Sequence, residues 1–316
     1  MRRLLSKSST GILLVLIAMV AMFQTLNPVF LSGMNVAAVL RSMSYTGIIA
    51  IGVGLCLISG IIDLSVGATA AISSVLFSKA MVEWGLPLTA AVVIALASGA
   101  AVGMFNALVI LKLRIPPFIA TISTMLVIRG LAYALTNGFM VYPLPGGLGA
   151  FGMSKPLGVS IGFVCLLVVA AVAWYVLEFT VFGLEIKATG SDYEVAKVTE
   201  VRYVLVHVTL LTVTGMLAAV SGILLSLVLN GGNPNVGTGW EFSAITACAI
   251  GGVSLMGYEG SIPGILYGLL VVHVLQNGIV VIGVSVFMQN VVIGVVLLVA
   301  ILLDVRRRKY LNLERL

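Results

Sequence analysis

Charged side chains are scarce in this sequence: of its 316 residues only 9% are charged, while 60% are hydrophobic. Globular domains usually carry about a quarter charged residues, so a surface of this composition is poorly suited to water. A bilayer core about 30 Å thick needs roughly 20 apolar residues for each helical span. Several charge-free runs reach that length, and the longest extends from Gly260 to Leu303. The sequence therefore predicts an all-α, polytopic membrane protein.

Reactive side chains are also few. The chain has two histidines, His207 and His273, and its three cysteines form no Cys-x-x-Cys pair, so neither a disulfide framework nor a zinc site is indicated. No G-x-x-x-x-G-K-[ST] phosphate loop occurs, so the sequence shows no means of binding or hydrolysing ATP. These absences predict a protein that is not an enzyme and has no cofactor. If its transport is active, the energy comes from an ion gradient or from a partner.

The positive charges that remain are clustered near the ends of the apolar runs. Counted from a cytoplasmic N-terminus, the basic clusters near Lys112, within 178–202 and at Arg306–Lys309 all fall on the cytoplasmic side, as the positive-inside rule requires. Both termini are therefore predicted to be cytoplasmic, and the net charge of +6 needs no nucleic-acid partner. The ten predicted spans have approximate cores at 11–26, 35–59, 64–82, 87–111, 117–135, 159–178, 203–229, 241–257, 261–282 and 286–304.

Two glycine-containing breaks divide the chain in a similar way. Residues 59–67 and 251–261 each carry one carboxylate, Asp63 or Glu259, and a serine placed to cap the next helix. Interrupted spans at matching places in two halves are typical of transporters built by duplication. The sequence therefore predicts a single transmembrane domain over residues 1–316 with two pseudo-repeated halves. Its external loops are expected at 136–158 and 230–240.

Polar side chains inside the predicted spans are costly and are candidates for a transport path. For the ionisable Asp63, helix capping is favoured over contact with a solute. Arg41 and Arg129 are expected to pair with polar neighbours or to extend to the membrane interface. The neutral polar residues either hydrogen-bond an uncharged, hydroxyl-rich solute or join helices to each other. The candidate pathway or gating residues are Asp63, Ser65, Asn106, Thr246 and Asn277.

A polar segment at 178–202 contains eight of the 28 charged side chains. Gly183 through Thr189 are expected to leave the membrane. Ser191 or Asp192 can cap a short helix with Glu194 in its first turn, as the helix dipole prefers. A short amphipathic helix on the cytoplasmic side fits a groove on a soluble partner. An ordinary solvated loop is the alternative interpretation of the same pattern.

Six short motifs, taken in order, extend over most of the chain. They are Ile62-Asp63-Leu64-Ser65-Val66-Gly67, Pro116-Pro117-Phe118-Ile119-Ala120-Thr121, Arg129-Gly130-Leu131-Ala132, Gly237-Thr238-Gly239-Trp240-Glu241, Gly251-Gly252-Val253-Ser254-Leu255 and Leu275-Gln276-Asn277-Gly278. In this order they resemble the ribose-type permease subunits of bacterial ATP-binding cassette importers, within the branched-chain amino acid and sugar permease superfamily.

The resemblance implies a multi-pass permease subunit in the bacterial cell (inner) membrane, surrounded by lipid, that works by alternating access. Its implied partners are separate ATP-binding cassette ATPase subunits, a periplasmic or lipoprotein solute-binding protein and a second permease subunit, in a homodimer or a heterodimer. The segment 178–202 then corresponds to a cytoplasmic coupling loop that docks on the ATPase. The matching ATPase-coupling residues are Gly190, Ser191, Asp192, Glu194, Ala196, Lys197 and Thr199.

The cargo implied by the resemblance is a small neutral polar solute, a monosaccharide such as ribose. Nucleosides, sugar-like signalling molecules and branched-chain amino acids are carried within the same superfamily. The chain departs from the usual pattern at Ile61 and Glu200, where glycine is common, and the cargo stays open between these classes. A stand-alone carrier driven by an ion gradient is a contrasting hypothesis, and it would need no docking helix.

Overall fold

The computed structural model describes residues 7–154, 158–191, 202–255, 257–285 and 287–310. Within these ranges the chain forms twelve α-helices and a 3₁₀ turn, without an extended strand. The helices are α1 Lys7–Leu26, α2 Gly33–Ile58, α3 Val66–Val82, α4 Leu88–Leu111, α5 Pro117–Thr136, α6 Leu148–Gly152, α7 Ile161–Phe179, α8 Val181–Ser191, α9 Tyr203–Leu229, α10 Trp240–Ile250, α11 Ile262–Val281 and α12 Met288–Tyr310.

The apolar helices match the predicted spans in number and, apart from the eighth span, in position. In the described ranges, six helices are long and apolar enough to cross a membrane: α2, α4, α5, α7, α9 and α11. Four shorter apolar helical segments occupy the other predicted positions: Leu13–Leu26, Val66–Val82, Trp240–Ile250 and Met288–Leu302. The prediction of an all-helical, polytopic membrane protein is confirmed. The pseudo-repeat, the cytoplasmic termini and the loop assignments stay predictions.

Serine and asparagine side chains mark several helix ends. Ser32 caps α2 by accepting a hydrogen bond from the Asn35 amide, and Ser160 caps α7 in the same way. The C-terminal caps of α5 and α9 are Asn137 and Asn230, which have φ angles of 50° and 57°. Asparagine tolerates this left-handed conformation better than most residues, so both helices stop at these positions.

The eighth predicted span differs from the prediction, because α10 ends at Ile250 rather than near residue 257. Gly252 and Gly257 have φ angles of 82° and 96°, which suit glycine and interrupt a helix. With 11 residues, α10 is about 16 Å long, roughly half of a bilayer core. The expected cap of the next helix is confirmed, since the Ser261 side chain accepts from the Gly264 amide at 3.2 Å.

Helices α2, α3, α4 and α9 form the centre of the bundle through close contacts at glycine. An ideal Cβ atom at Gly99 would lie 2.2 Å from the Gly215 carbonyl oxygen. One at Gly103 would lie 2.1 Å from that of Leu211. The backbones of α4 and α9 therefore touch directly, as small residues allow in membrane helices.

The two predicted external loops meet at one end of the bundle. Val141 and Gly232 form an isolated antiparallel bridge, with N–O distances of 2.8 and 3.0 Å. The first of these loops also contains α6, which the sequence analysis did not anticipate.

The polar segment 178–202 begins with a helix that the sequence analysis did not anticipate. Residues 183–189, expected only to leave the membrane, lie within α8, where Ile186 is fully buried. Ser191 is the last residue of α8, and the start of the helix that it was predicted to cap lies outside the described residues. The other predicted coupling residues, Asp192, Glu194, Ala196, Lys197 and Thr199, lie outside the described residues.

Candidate functional site

A polar cavity of about 550 Å³ lies between α2, α9, α10, α11 and α12. Helix α2 contributes Arg41, Ser42, Tyr45 and Thr46, which share one face because they recur at intervals of one turn. The Ser42 hydroxyl lies 3.4 Å from Nδ1 of His273 on α11. This wall offers hydroxyl, guanidinium and aromatic groups to a small molecule.

Helix α11 supplies the opposite wall through His273, Gln276, Asn277 and Val280, again one helical face. The Gln276 amide donates to the Ser243 hydroxyl at 3.4 Å. The amides of Asn277 and Asn35 exchange hydrogen bonds of 2.8 and 2.9 Å, which join α11 to the start of α2. The second wall is therefore rich in side-chain amides, some of which are held in place by neighbours.

The start of α10 closes one side of the cavity. Trp240 lies nearly parallel to Tyr45, with ring centroids 6.3 Å apart and an interplanar angle of 9°. Thr238, Gly239 and Ser243 line the cavity beside this aromatic pair. Aromatic faces bury the apolar C–H surface of a ligand while the surrounding hydroxyls and amides bind its polar edge.

The lining carries one formal charge. Among the lining residues in the described part of the chain, Arg41 is the single Lys, Arg, Asp or Glu, so no carboxylate faces the cavity. The Arg41 guanidinium makes a contact of 3.7 Å from Nη1 to Sδ of Met153. The electrostatics therefore favour a neutral solute, or one with hydrogen-bond acceptors, over a cation.

Of the predicted pathway residues, only Asn277 lines this cavity. Asp63, Ser65 and Asn106 instead form a hydrogen-bonded chain, each at most 1% exposed. The Ser65 amide and hydroxyl donate to Oδ1 of Asp63 at 2.9 and 2.7 Å, and Asn106 donates to the Ser65 hydroxyl at 2.9 Å. This chain fixes the break between α2 and α3 against α4.

The helix cap predicted at Ser65 is wrong, and Thr246 does not line the cavity. Ser65 precedes α3 but makes no side-chain cap, because its hydroxyl is bonded to Asp63. Thr246 is fully buried and donates to the Phe242 carbonyl at 2.6 Å within α10. An i−4 backbone bond of this kind satisfies a buried hydroxyl without a solute.

Most of the α2 wall was not singled out from the sequence. Ser42, Tyr45 and Thr46 were missed, and Arg41 was expected to pair with polar neighbours or to extend to the membrane interface. Their signal was a polar cluster with helical spacing inside an apolar run, the same spacing that α11 shows at 273, 276 and 277. The sequence therefore shows matching polar faces on two helices, but it does not show that these faces meet.

The end of α8 packs against the far end of α2. An ideal Cβ atom at Gly190 would lie 2.0 Å from the Ile58 carbonyl oxygen and 2.6 Å from the Tyr258 amide nitrogen. That amide donates to the same Ile58 oxygen at 2.8 Å. The residues from Arg41 to Ile58 span about 26 Å at 1.5 Å per residue, so this junction and the cavity lie at opposite ends of α2.

Comparisons with known proteins identify a family and relatives that match nearly the whole chain. Residues 35–301 match the family described as branched-chain amino acid transport system permease component. The chain is 36% identical to the ribose import permease protein RbsC of Bacillus subtilis over 296 residues, covering 93% of this chain and 92% of the relative. It is 35% identical to RbsC of Escherichia coli K12, covering 94% and 93%.

A more distant relative is named for a different cargo. The chain is 31% identical to the autoinducer 2 import system permease protein LsrC of an Enterobacter species, covering 99% of this chain and 91% of the relative. No solved structure gives a significant match. The family match extends over most of the chain, and the chain belongs to the family of branched-chain amino acid transport system permease components.

Proposed function

We propose that this chain is the transmembrane permease subunit of an ATP-binding cassette importer that moves a monosaccharide such as ribose into the cytoplasm. The polar cavity binds the solute during alternating access. ATP is hydrolysed by separate ATPase subunits, because the sequence has no phosphate loop. The names of the relatives, which include ribose import permeases from two organisms, support this cargo.

The observation that carries the proposal is the chemistry of the cavity lining. Hydroxyls, amides, one guanidinium and an aromatic pair surround a space of about 550 Å³, which is ample for a sugar ring. A zwitterionic amino acid needs a partner for its ammonium group, and a carboxylate would normally supply it. The lining lacks such a group, so a neutral polyhydroxyl solute fits it better than an amino acid.

The two ends of the bundle are proposed to meet different partners. The segment after α8 docks on the ATPase through Gly190, Ser191, Asp192, Glu194, Ala196, Lys197 and Thr199. The opposite end, with loops 136–158 and 230–240, meets a solute-binding protein outside the cell (inner) membrane. A second permease subunit, identical or related, completes the transporter. The direct contact of Gly190 with α2 supports a mechanical link between the ATPase end and the cavity.

The test is uptake by the full transporter reconstituted in proteoliposomes, with ATP inside. Labelled ribose, xylose and leucine are compared, with the ATPase subunits present or omitted. We expect ATP-dependent uptake of a sugar and no uptake of leucine. Sugar uptake that persists without the ATPase would support a gradient-driven carrier instead. Uptake of leucine in preference to either sugar would reject the proposed cargo.

A further inference from the structure

Two sequence motifs that are about 100 residues apart form one unit in the structure. Arg129 belongs to α5, a helix that contributes nothing to the cavity lining. Its Nη1 atom donates to the carbonyl oxygens of Pro234 and Val236, at 2.9 and 2.6 Å. One turn later on the same helix, the Tyr133 hydroxyl donates to Oδ1 of Asn235 at 2.8 Å. Helix α5 thus holds three consecutive residues of the loop before α10.

The contacts with backbone carbonyls stabilise the Arg129 guanidinium within an apolar helix. A cation on an otherwise apolar helix is costly unless it is paired, and backbone carbonyls are suitable partners in a membrane protein. Charge-assisted hydrogen bonds are shorter and stronger than neutral ones. The Glu241 carboxylate, only 5% exposed, also interacts electrostatically with Arg129. The loop is therefore attached to α5 by charge-assisted hydrogen bonds.

The attached loop leads directly into the cavity wall. At Gly237 the backbone touches α3, since an ideal Cβ atom there would lie 2.4 Å from the Gly67 carbonyl oxygen. The Trp240 amide donates to the Gly237 carbonyl at 3.2 Å, which continues the constraint along the chain. The Trp240 ring then stacks beside Tyr45 in the cavity. Only three residues separate Val236, held by Arg129, from Trp240.

We propose that Arg129 is a positioning residue for solute binding: it clamps residues 234–236 and thereby fixes Trp240 in the cavity wall. The affinity and selectivity of the cavity then depend on a side chain that does not touch the solute. The effect of Arg129 on the position of Trp240 can be measured without transport, whereas its effect on the solute rests on the proposed function.

The first experiment measures Trp240 directly. In the full chain with Trp84→Phe and Trp174→Phe, Trp240 is the remaining tryptophan, because the sequence contains three. Acrylamide quenching of its fluorescence is compared in Arg129→Met, Arg129→Lys and the parent, each in lipid nanodiscs. We expect Arg129→Met to raise the quenching constant about twofold or more, because loss of the charge-assisted bonds frees the loop. Arg129→Lys keeps a cationic donor and should restore most of the protection.

The matched control is Leu126→Ala, on the same helix but 67% exposed and away from the loop. Its quenching constant should equal that of the parent. Quenching of Arg129→Met that also equals the parent value would overturn the clamp. If Arg129→Met does not accumulate in the membrane, Arg129→Gln replaces it, because glutamine stays polar but has no charge. Parent-like quenching of Arg129→Gln would overturn the clamp equally.

The second experiment measures uptake of ribose and xylose by the complete transporter. We expect Arg129→Met to raise KM roughly three- to tenfold with a smaller change in maximal rate, because the ground-state wall is disordered. The ratio of KM values for the two sugars should also change, and Arg129→Lys should recover it. Sugar uptake by the parent with an unchanged KM in Arg129→Met would refute the link between the clamp and the solute. A parent that transports neither sugar would refute the proposed function and leave the quenching result standing.

Discussion

Arg41 differs from the other charged residues of the membrane-spanning helices because it faces a cavity of polar groups. Arg41 lines the same cavity as hydroxyls and amides contributed by α2, α10 and α11. A guanidinium offers five N–H donors in a fixed plane, which suits several oxygen acceptors on one small molecule. We therefore predict that Arg41 makes the largest single polar contribution to the proposed solute binding.

Replacing Arg41 with glutamine should raise the KM for uptake about tenfold or more, because a hydrogen bond to a charged donor contributes roughly 1.5–3 kcal/mol. The KM of Arg41→Lys should fall between those of the parent and Arg41→Gln. The measurement is the concentration dependence of sugar uptake by the complete transporter. Lys79→Gln is the matched control, since it removes a positive charge from α3 that is paired with Glu83 and does not line the cavity. A KM that is unchanged in Arg41→Gln would contradict the assignment.

Asn106 and Asn277 show why the site could be predicted only in part. Both are asparagines in apolar helices, and the sequence gives them the same expectation. The structure places Asn277 in the cavity wall and Asn106 against Ser65, fully buried. An amide buried between helices and an amide that lines a cavity have the same hydrogen-bonding groups. Only the arrangement of the neighbouring helices separates the two roles.

At the scale of helices, the contact between α4 and α9 is made by the backbones themselves. Its backbones approach each other at Gly99, Gly103 and Gly215, where no side chain intervenes. Close approach lets many atoms make dispersion contacts, which is a major source of stability between helices in lipid. This pair forms a fixed part of the molecule around which α2 and α3 are arranged.

Gly103→Ala should destabilise the protein by about 1–3 kcal/mol, because its Cβ atom would meet the Leu211 carbonyl and force the helices apart. The matched control is Gly130→Ala on α5, where an added Cβ atom has nothing within 4 Å. That control should be neutral or stabilising by about 0.5–1 kcal/mol, since alanine favours helix over glycine. Thermal unfolding in detergent measures both. Equal melting temperatures for the two variants would contradict this account of the packing.

The junction of α8 with α2 gives a prediction about coupling. Gly190→Ala cannot be accommodated without moving Ile58 or Tyr258, so α8 should shift relative to α2. We expect sugar uptake to be largely lost while the assembled transporter continues to hydrolyse ATP. The control is Leu184→Ala, an exposed position of α8, which should keep both activities. Normal uptake in Gly190→Ala would contradict a role for this junction in coupling.

Two helices show the limits of sequence patterns at this scale. The apolar run at 241–257 predicts a full span, but positive φ angles at Gly252 and Gly257 end the regular structure early. Conversely, the charges in 178–202 concealed α8, although this helix has apolar side chains such as the fully buried Ile186. Hydropathy averages over a window and therefore does not resolve a glycine break or a short helix with a single buried face.

At the scale of the whole molecule, the positions of the spans follow from the sequence because each long apolar run must cover a bilayer. The cavity does not follow, because it combines α2, α9, α10, α11 and α12, whose lining residues range from Ala38 to Ile293. Such distant contacts are set by helix packing and not by any local period. The Arg129 clamp has the same origin, since it joins residues 105 positions apart.

The predicted orientation in the membrane can be tested with single cysteines. Phe139→Cys and Leu113→Cys place exposed thiols at opposite ends of the bundle, since these side chains are 76% and 59% exposed. A membrane-impermeant maleimide should label Phe139→Cys in intact cells with a permeable outer surface. Leu113→Cys should react only after the membrane is opened. The background variant without introduced cysteine controls for the three native thiols. The reverse labelling pattern would contradict cytoplasmic termini.

Because helix α2 extends from the cavity to the Gly190 junction, binding at one end can affect binding at the other. Helix α2 carries cavity residues between Ala38 and Thr46 and Ile58 at its last position, and residues 43–58 are buried. A rod about 26 Å long that tilts by about 10° moves its far end by roughly 4–5 Å. Coupling between the two ends of the helix is reciprocal. A partner that binds the α8 end with higher affinity when the cavity is filled must, by thermodynamic reciprocity, raise the affinity of the cavity for its solute by the same factor.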